Sequence, residues 1–268
     1  MQTPYQLPIL LYHRVVNSTC RIGKHKTYVW ESAFRKQMQW LKDNGYQTIT
    51  FSDLDALPAN ADPGKKIIIT FDDGYIDNYT IAFPILKELG FKAVIYLVTV
   101  YKRNEWNLHE GEPALELMSK EQILEMQNYG IEFGGHTRHH VDLKNSTADK
   151  QREEVTGCFN DVATITGKKP LSFAYPYGAY NNDTLKVLAQ SGFKYGITTI
   201  FGPHNWPEDL LRIRRIEVRP KDGLFAFRRK ASGRYFNRSW YHFLFAKWGN
   251  TKYNFRTEKI QREQPGLI

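Results

Sequence analysis

The feature that most constrains the fold of this chain is its alternation of short apolar segments with longer segments of helical character. Seven segments are predicted strands: Ile9–Tyr12, Thr48–Thr50, Lys66–Thr70, Ala93–Leu97, Ile131–Phe133, Leu171–Ala174 and Tyr195–Thr198. Five segments are predicted helices: Glu31–Asn44, Asn78–Leu89, Lys120–Tyr129, Thr147–Thr166 and Asp183–Ser191. Strands separated by helices of this length form βα units, so the sequence predicts an α/β fold with a mostly parallel sheet. A chain of 268 residues is long enough to form a single α/β barrel around one large core.

Two adjacent carboxylates, Asp72 and Asp73, follow the apolar run Ile67-Ile68-Ile69-Thr70-Phe71 and precede Gly74. The carboxyl end of a strand is where α/β enzymes build their sites. A turn there can bring both carboxylates into one cavity, where one binds a metal ion and the other stays free as a base. The alternative is structural, because Asp-Gly is also a common way to close a strand.

Three histidines lie within five residues in the run Gly134-Gly135-His136-Thr137-Arg138-His139-His140. Two imidazoles and one carboxylate can hold zinc and leave a coordination position open for water or substrate. A helical turn after the preceding strand would place His136 and His140 on one face. Positions 136 and 139 could converge as well, so the spacing leaves the pair open. A solvated histidine cluster is the alternative without a metal.

A third segment, Phe173-Ala174-Tyr175-Pro176-Tyr177-Gly178, combines an apolar strand with a proline turn. It can line a cavity with an aromatic wall, or serve as a rigid turn with packed aromatics.

These three segments, in this order, resemble the motifs of the polysaccharide deacetylase family of carbohydrate esterases. Residues 70–74 match Thr-Phe-Asp-Asp-Gly, and residues 136–140 match His-(Ser/Thr)-x-x-His. The third motif, Arg-x-Pro-Tyr, matches at Pro176 and Tyr177, but Ala174 stands where arginine is common. The opening run from Pro8 to Arg14 resembles a branch related to exopolysaccharide de-N-acetylases, which has an N-terminal Tyr-His motif. The resemblance covers roughly residues 7–219.

The resemblance implies a distorted (β/α)7 barrel with its site at the carboxyl ends of the strands. It implies a metal ion held by Asp73, His136 and His140, which favours His140 over His139 as the second imidazole ligand. It also implies that Asp72 is the general base and that the backbone N–H of Tyr177 stabilises the oxyanion. Zinc is the metal that we expect first, with Co, Ni, Mn and Fe as alternatives.

Two further roles lie outside the matched motifs. Ala174 cannot hold Asp72 in position, so Arg215, within Arg212-Ile213-Arg214-Arg215-Ile216, is the candidate replacement; the alternative is a surface cation. The acid that protonates the leaving amine is predicted to be His13, by resemblance to the Tyr-His branch. Its alternative is a strand histidine bonded to the backbone.

These residues favour a metal-dependent enzyme that removes the N-acetyl group of an N-acetylhexosamine in a glycan or in its lipid-linked precursor. One alternative is a barrel that binds carbohydrate with little or no turnover, for which Ala174 leaves room. A second is an iron oxygenase with two histidines and one carboxylate, although such enzymes usually have another fold and no base beside the ligand.

Charge is concentrated near the carboxyl terminus, where residues 212–262 contain 15 Lys and Arg against 3 Asp and Glu. The aromatic residues interleaved with them include Phe225, Phe227, Tyr235, Phe236, Trp240, Tyr241, Phe243, Phe245 and Trp248. We expect a catalytic barrel of residues 1–219 and a basic, aromatic-rich extension of residues 220–268. Such an extension suits an anionic membrane surface, packing on the barrel or, less well, a pyrophosphate-bearing substrate; nucleic acid is disfavoured.

The remaining sequence features concern the compartment. Cys20 and Cys158 lie far apart, which is not a disulfide scaffold and indicates a reducing environment. No secretory signal or apolar run of membrane-spanning length is visible. The sequence therefore predicts a cytoplasmic protein with peripheral contact at the inner membrane face.

Overall fold

Parallel strands and the helices that connect them make up most of the fold. The computed structural model describes residues 5–58 and 64–233. Its strands are β1 (Tyr5–Leu7), β2 (Ile9–Tyr12), β3 (Arg14–Val16), β4 (Tyr28–Trp30), β5 (Gln47–Thr48), β6 (Lys66–Phe71), β7 (Val94–Leu97), β8 (Glu132–Gly135), β9 (Ser172–Ala174), β10 (Tyr195–Phe201), β11 (His204–Trp206) and β12 (Ile213–Glu217). Its α-helices are α1 (Glu31–Asp43), α2 (Phe51–Asp55), α3 (Phe83–Leu89), α4 (Lys120–Tyr129), α5 (Ala148–Thr166), α6 (Asn182–Ser191) and α7 (Leu224–Ala231).

Seven of these strands close into a parallel barrel. Their order around it is β2, β6, β7, β8, β9, β10 and β12. The barrel closes because β2 pairs with β6 on one side, with Tyr12 opposite Phe71, and with β12 on the other, with Leu10 opposite Ile216. The predicted (β/α)7 fold is thus confirmed. It is distorted at one point, because β10 leads to an extended segment with β11 instead of a helix.

One strand of the barrel differs from the seven that the sequence predicts. Thr48–Thr50 was expected as a strand, but β5 covers only Gln47–Thr48 and pairs with β6 outside the closed barrel. The seventh barrel strand is instead β12, whose sequence Ile-Arg-Arg-Ile-Glu contains three charged residues. Such a sequence does not have the apolar pattern of a buried parallel strand, so local sequence does not reveal it.

The helix predicted over Asn78–Leu89 has two parts. Asn78–Ala82 forms a single π-helical stretch, and the α-helix begins at Phe83. Pro84 lies in the first turn of α3, directly after the π-helical stretch.

The barrel interior is filled from alternate positions of its strands. One buried cluster includes Val94 and Tyr96 of β7 together with Tyr195 and Ile197 of β10. Phe51 of α2 belongs to the same cluster and packs against Tyr195, with ring centroids 5.0 Å apart. The packed interior leaves the carboxyl ends of the strands as the place for a site.

The predicted extension is described only as far as Gly233. Within that part, α7 packs on α1, where the buried ring of Phe227 meets Trp40 edge-on at 6.1 Å. The other predicted membrane-contacting aromatics, except the exposed Phe225, lie outside the described residues. The boundary at 219/220 therefore stays a prediction. No helix in the described part of the chain is long and apolar enough to cross a membrane.

Candidate active site

Three buried side chains converge at the carboxyl end of the barrel. Ligand atoms of Asp73, His136 and His140 all lie within 4.8 Å of one another. The Oδ1 atom of Asp73 is 3.4 Å from Nε2 of His136 and 3.2 Å from Nε2 of His140. Among the described residues it has no well-directed hydrogen bond, although it is buried. An anionic oxygen between two imidazole nitrogens fits a divalent cation.

The pKa shifts in this group reflect its burial and its mutual contacts. Burial alone would raise the pKa of Asp73, but the two imidazoles outweigh it and hold that pKa well below the usual value. Burial lowers the pKa of His140, so its neutral form, which is the ligand form, is favoured.

The backbone around these three residues is strained. Asp73 and the following Gly74 are both left-handed, with φ of 75° and 76°, which turns the chain sharply after β6. The segment 136–140 is an irregular loop in which Thr137 and His140 are left-handed, with φ of 63° and 55°. The expected helical turn is therefore wrong: the loop conformation, not helical periodicity, brings His136 and His140 together.

His136 is oriented by a backbone contact. Its Nδ1–H donates to the carbonyl oxygen of Ala174, 2.7 Å away, on the neighbouring strand β9. This bond fixes the tautomer and leaves Nε2 free to face Asp73. His139, by contrast, faces away, because its Nδ1 donates to Glu154 of α5 at 2.7 Å.

Asp72 is held by a buried arginine. Arg215 of β12 donates from Nη1 to Asp72 Oδ1 at 2.6 Å and from Nη2 to Oδ2 at 2.7 Å. Its Nε donates to the carbonyl oxygen of Thr198 at 2.9 Å. The Arg215 side chain is 0% exposed, so it is not a surface cation. Burial would raise the pKa of Asp72, but Arg215 and His136 outweigh this and lower it.

The two remaining predicted residues lie beside this group. His13 follows β2, which pairs with β6, and its carbonyl accepts a hydrogen bond from Asn78 at 2.8 Å. Its imidazole is close enough to influence the pKa values of Asp72, Asp73 and His140. Tyr177 is left-handed, with φ of 59°, and its half-exposed ring meets the His140 ring edge-on at 4.6 Å.

Trp106, which no sequence motif identifies, forms part of the wall of the site beside His140. Trp106 stacks on His140, with centroids 4.6 Å apart and planes at 21°. It belongs to the polar segment Lys102–Ala114, which contains a 3₁₀ turn at Glu105–Glu110. The one local indication in the sequence that this segment contacts His140 is a tryptophan among mostly polar residues.

A large cavity adjoins the group. Its volume is about 970 Å³, and its lining includes Asp73, Leu97, Tyr101, Met118 and Lys120. That volume is within the range of ligand sites in proteins. A cavity lined by both apolar side chains and cations suits an organic ligand that has polar groups and apolar faces.

Comparisons with known proteins agree on one family. A family model described as polysaccharide deacetylase matches residues 59–196. YxkH of Bacillus subtilis (strain 168) is 32% identical over 222 residues, which are 82% of this chain and 74% of YxkH. The poly-β-1,6-N-acetyl-D-glucosamine N-deacetylase of Staphylococcus aureus (strain N315) is 31% identical over 181 residues, or 63% of this chain. The match spans only 60% of the staphylococcal enzyme's length.

Solved structures give the same result. The Streptococcus pyogenes deacetylase PplD, solved in complex with acetate, has a TM-score of 0.73 and 30% identity. The match covers 85% of this chain and 99% of PplD. IcaB from Ammonifex degensii has a TM-score of 0.71 and 26% identity over 86% of this chain and 97% of its own.

Proposed function

Because this chain belongs to the polysaccharide deacetylase family, we propose that it hydrolyses the N-acetyl group of an N-acetylhexosamine in a glycan, with a divalent metal ion. The observation that carries the proposal is the geometry around Asp72. Arg215 binds both oxygens of this carboxylate, next to three convergent ligand atoms. A site built only to bind sugar needs no such fixed base.

Asp73, His136 and His140 would hold the metal. When bound, a divalent cation would polarise the amide carbonyl and lower the pKa of a neighbouring water to about 7. One carboxylate and two imidazoles suit zinc, and Co, Ni, Mn and Fe accept the same ligands.

Asp72 would accept the proton of the attacking water. Its lowered pKa keeps it ionised at neutral pH, so it is available to accept that proton. Its low pKa also makes it a weak base, and the fixed position that Arg215 provides offsets this weakness.

The leaving amine needs a proton, and His13 is our candidate donor. It follows β2, the strand next to β6, so it can approach the scissile bond from the side of Asp72. The backbone N–H of Tyr177 is our candidate oxyanion donor, an interaction typically worth about 3–4 kcal/mol.

We propose an N-acetylglucosamine-containing glycan as substrate, because the staphylococcal relative is named for a β-1,6-linked polymer of that sugar. The cavity beside Asp73 supports a ligand larger than acetate. A lipid-linked acceptor, membrane contact and a location at the inner membrane face stay predictions, because they depend mainly on residues after Gly233. Carbohydrate binding without turnover is the alternative function.

The test is acetate release from N-acetylglucosamine oligomers by protein that has been stripped of metal and then reloaded. Asp72→Asn should keep the metal and lose about 10²–10⁴-fold in turnover. Asp183→Asn, an exposed carboxylate on α6, is the matched control. Loss of metal from Asp72→Asn would show that base and ligand are wrongly assigned. Sugar binding without acetate release by the wild type would favour the binding function.

A further inference from the structure

The loop that supplies both imidazole ligands is fixed by one buried carboxylate. Glu154 of α5 is fully buried, and its Oε2 accepts the backbone N–H groups of Arg138 at 2.8 Å and of His139 at 3.0 Å. Its Oε1 accepts Nδ1–H of His139 at 2.7 Å. Lys150, one turn earlier on α5, pairs with the same oxygen at 3.0 Å. Two consecutive backbone N–H groups that bind one carboxylate form a preorganised anion site.

These hydrogen bonds stabilise an unfavourable backbone conformation of the loop. Thr137 and His140, on either side of the captured N–H groups, are both left-handed without being glycine. Such residues cost of order 1–3 kcal/mol each, and they persist only where the surroundings impose them. Charge-assisted hydrogen bonds to Glu154 are the contacts that impose this conformation.

The same face of α5 holds the loop at a second point. Asp161 lies two turns after Glu154, and its Oδ2 accepts Nε–H of Arg138 at 3.0 Å. Between them Gly157 leaves room for Arg138, because a Cβ at this position would lie 2.5 Å from Arg138 Cδ. The helix face therefore matches the loop in shape as well as in charge.

We infer that Glu154 is a positioning residue for the metal site, which holds the loop so that His136 and His140 face Asp73 before a metal arrives. Glu154 contacts neither imidazole ligand directly and acts through the backbone between them. The inference rests on the metal site of the proposed function. Outer residues of this kind typically change metal affinity by about 10–100-fold.

Metal binding tests this inference without any substrate. Zn²⁺ affinity would be measured by chelator competition, and the ligand field by the visible absorption spectrum of the Co²⁺-loaded protein. Glu154→Leu should lower Zn²⁺ affinity about 10–100-fold and alter the Co²⁺ spectrum. Glu154→Gln keeps one acceptor oxygen for the backbone N–H groups and should fall between the leucine variant and the wild type.

Asp149→Asn is the matched control. It removes one negative charge from the same helix, at a side chain that is 95% exposed and pairs with Arg152 at 3.4 Å. Its Zn²⁺ affinity should stay within about twofold of the wild type, because a surface ion pair contributes little. If Glu154→Leu does not fold, the Zn²⁺ affinity and the Co²⁺ spectrum of Glu154→Gln alone test the inference.

The outcomes separate this inference from the function on which it rests. Wild-type affinity and an unchanged Co²⁺ spectrum in Glu154→Gln and Glu154→Leu would overturn the positioning role and leave the metal site intact. A wild type that binds no Zn²⁺ would contradict the metal site itself, and the positioning role with it.

Discussion

At the scale of residues, the site depends on a partner that the family motifs do not contain. Ala174 occupies the usual arginine position and uses its carbonyl oxygen to orient His136. Arg215, which is 143 positions from Asp72 in sequence, supplies the guanidinium instead. Two parallel N–H···O bonds fix the plane of the carboxylate, which a single lysine could not do. In this chain the guanidinium partner of Asp72 therefore comes from β12.

His13 is the residue whose role is most open to direct test. His13→Ala should lower turnover about 10²–10⁴-fold if its imidazole protonates the leaving amine. Zn²⁺ affinity should not change, because His13 is not among the three convergent ligands. His109→Ala, at a 75% exposed side chain, is the control for both measurements.

Near-normal turnover of His13→Ala would assign the acid to another residue. His139 is bound to Glu154, and His204 lies on β11 opposite Leu7, toward the amino end of the barrel. His242 lies outside the described residues. These placements are further reasons to test His13 first.

Asp77 should titrate at an unusually high pH. Burial raises its pKa from 3.8 to about 6, although Arg14, 2.7 Å away, opposes the shift. Between about pH 4 and pH 6 the folded chain keeps a proton that the unfolded chain has released. The free energy of unfolding therefore falls as pH rises through this range, by about 3 kcal/mol in total, and then levels off.

The carboxyl ¹³C shift of Asp77, followed by NMR, measures this pKa directly. Urea unfolding of wild type and Asp77→Asn across the same pH range measures its effect on stability, and the variant should lack this decline. A titration midpoint below pH 4 would contradict the prediction.

At the scale of elements, two long connections join above the carboxyl end of β6. One follows β2 and contains β3 and β4; the other follows β7 and carries Trp106. Glu112 of the second accepts the backbone N–H of His25 in the first at 2.8 Å. His25 also pairs with Glu110 at 2.6 Å. The wall that packs on His140 is therefore supported from two parts of the sequence.

Gly23→Ala should weaken the contact between these two connections. A Cβ at Gly23 would lie 1.5 Å from Oε2 of Glu112, so the carboxylate must move and its bond to His25 is lost. We expect a loss of about 1–3 kcal/mol in the free energy of unfolding. Amide hydrogen exchange of His25 should become faster.

Gly223→Ala is the matched control, because a Cβ there meets no atom within 4 Å. Equal stability and equal exchange rates in the two alanine variants would mean that the connections do not depend on this contact.

At the scale of the whole molecule, the barrel joins ligands from two strand ends into one site. Asp73 follows β6 and His136 follows β8, with β7 between them. Because unfolding separates these ligands, a metal that binds all three stabilises the folded chain.

Zn²⁺ should therefore raise the unfolding midpoint of the wild type. At about 100 times its Kd the gain is about 2.7 kcal/mol, provided that the unfolded chain binds little metal. His136→Ala should lose this gain, and His109→Ala should keep it. Thermal unfolding with and without Zn²⁺ provides the measurement, and equal gains in both variants would argue against the Asp-His-His site.

The sequence by itself determined the fold class and the main candidates for the site. Six of the predicted strands are barrel strands, because short apolar runs that alternate with helical segments favour βα units and a parallel sheet. Asp72, Asp73, His136 and His140 stood out because their chemistry and order are unusual.

Tertiary structure alone decided the rest. A strand of sequence Ile-Arg-Arg-Ile-Glu becomes part of the barrel because Arg215 forms an ion pair with Asp72 inside the barrel. The loop 136–140 takes a left-handed conformation because Glu154 binds its backbone N–H groups. In both cases a charged group is buried only when its partner, distant in sequence, is already in place, and local sequence patterns do not encode such pairs.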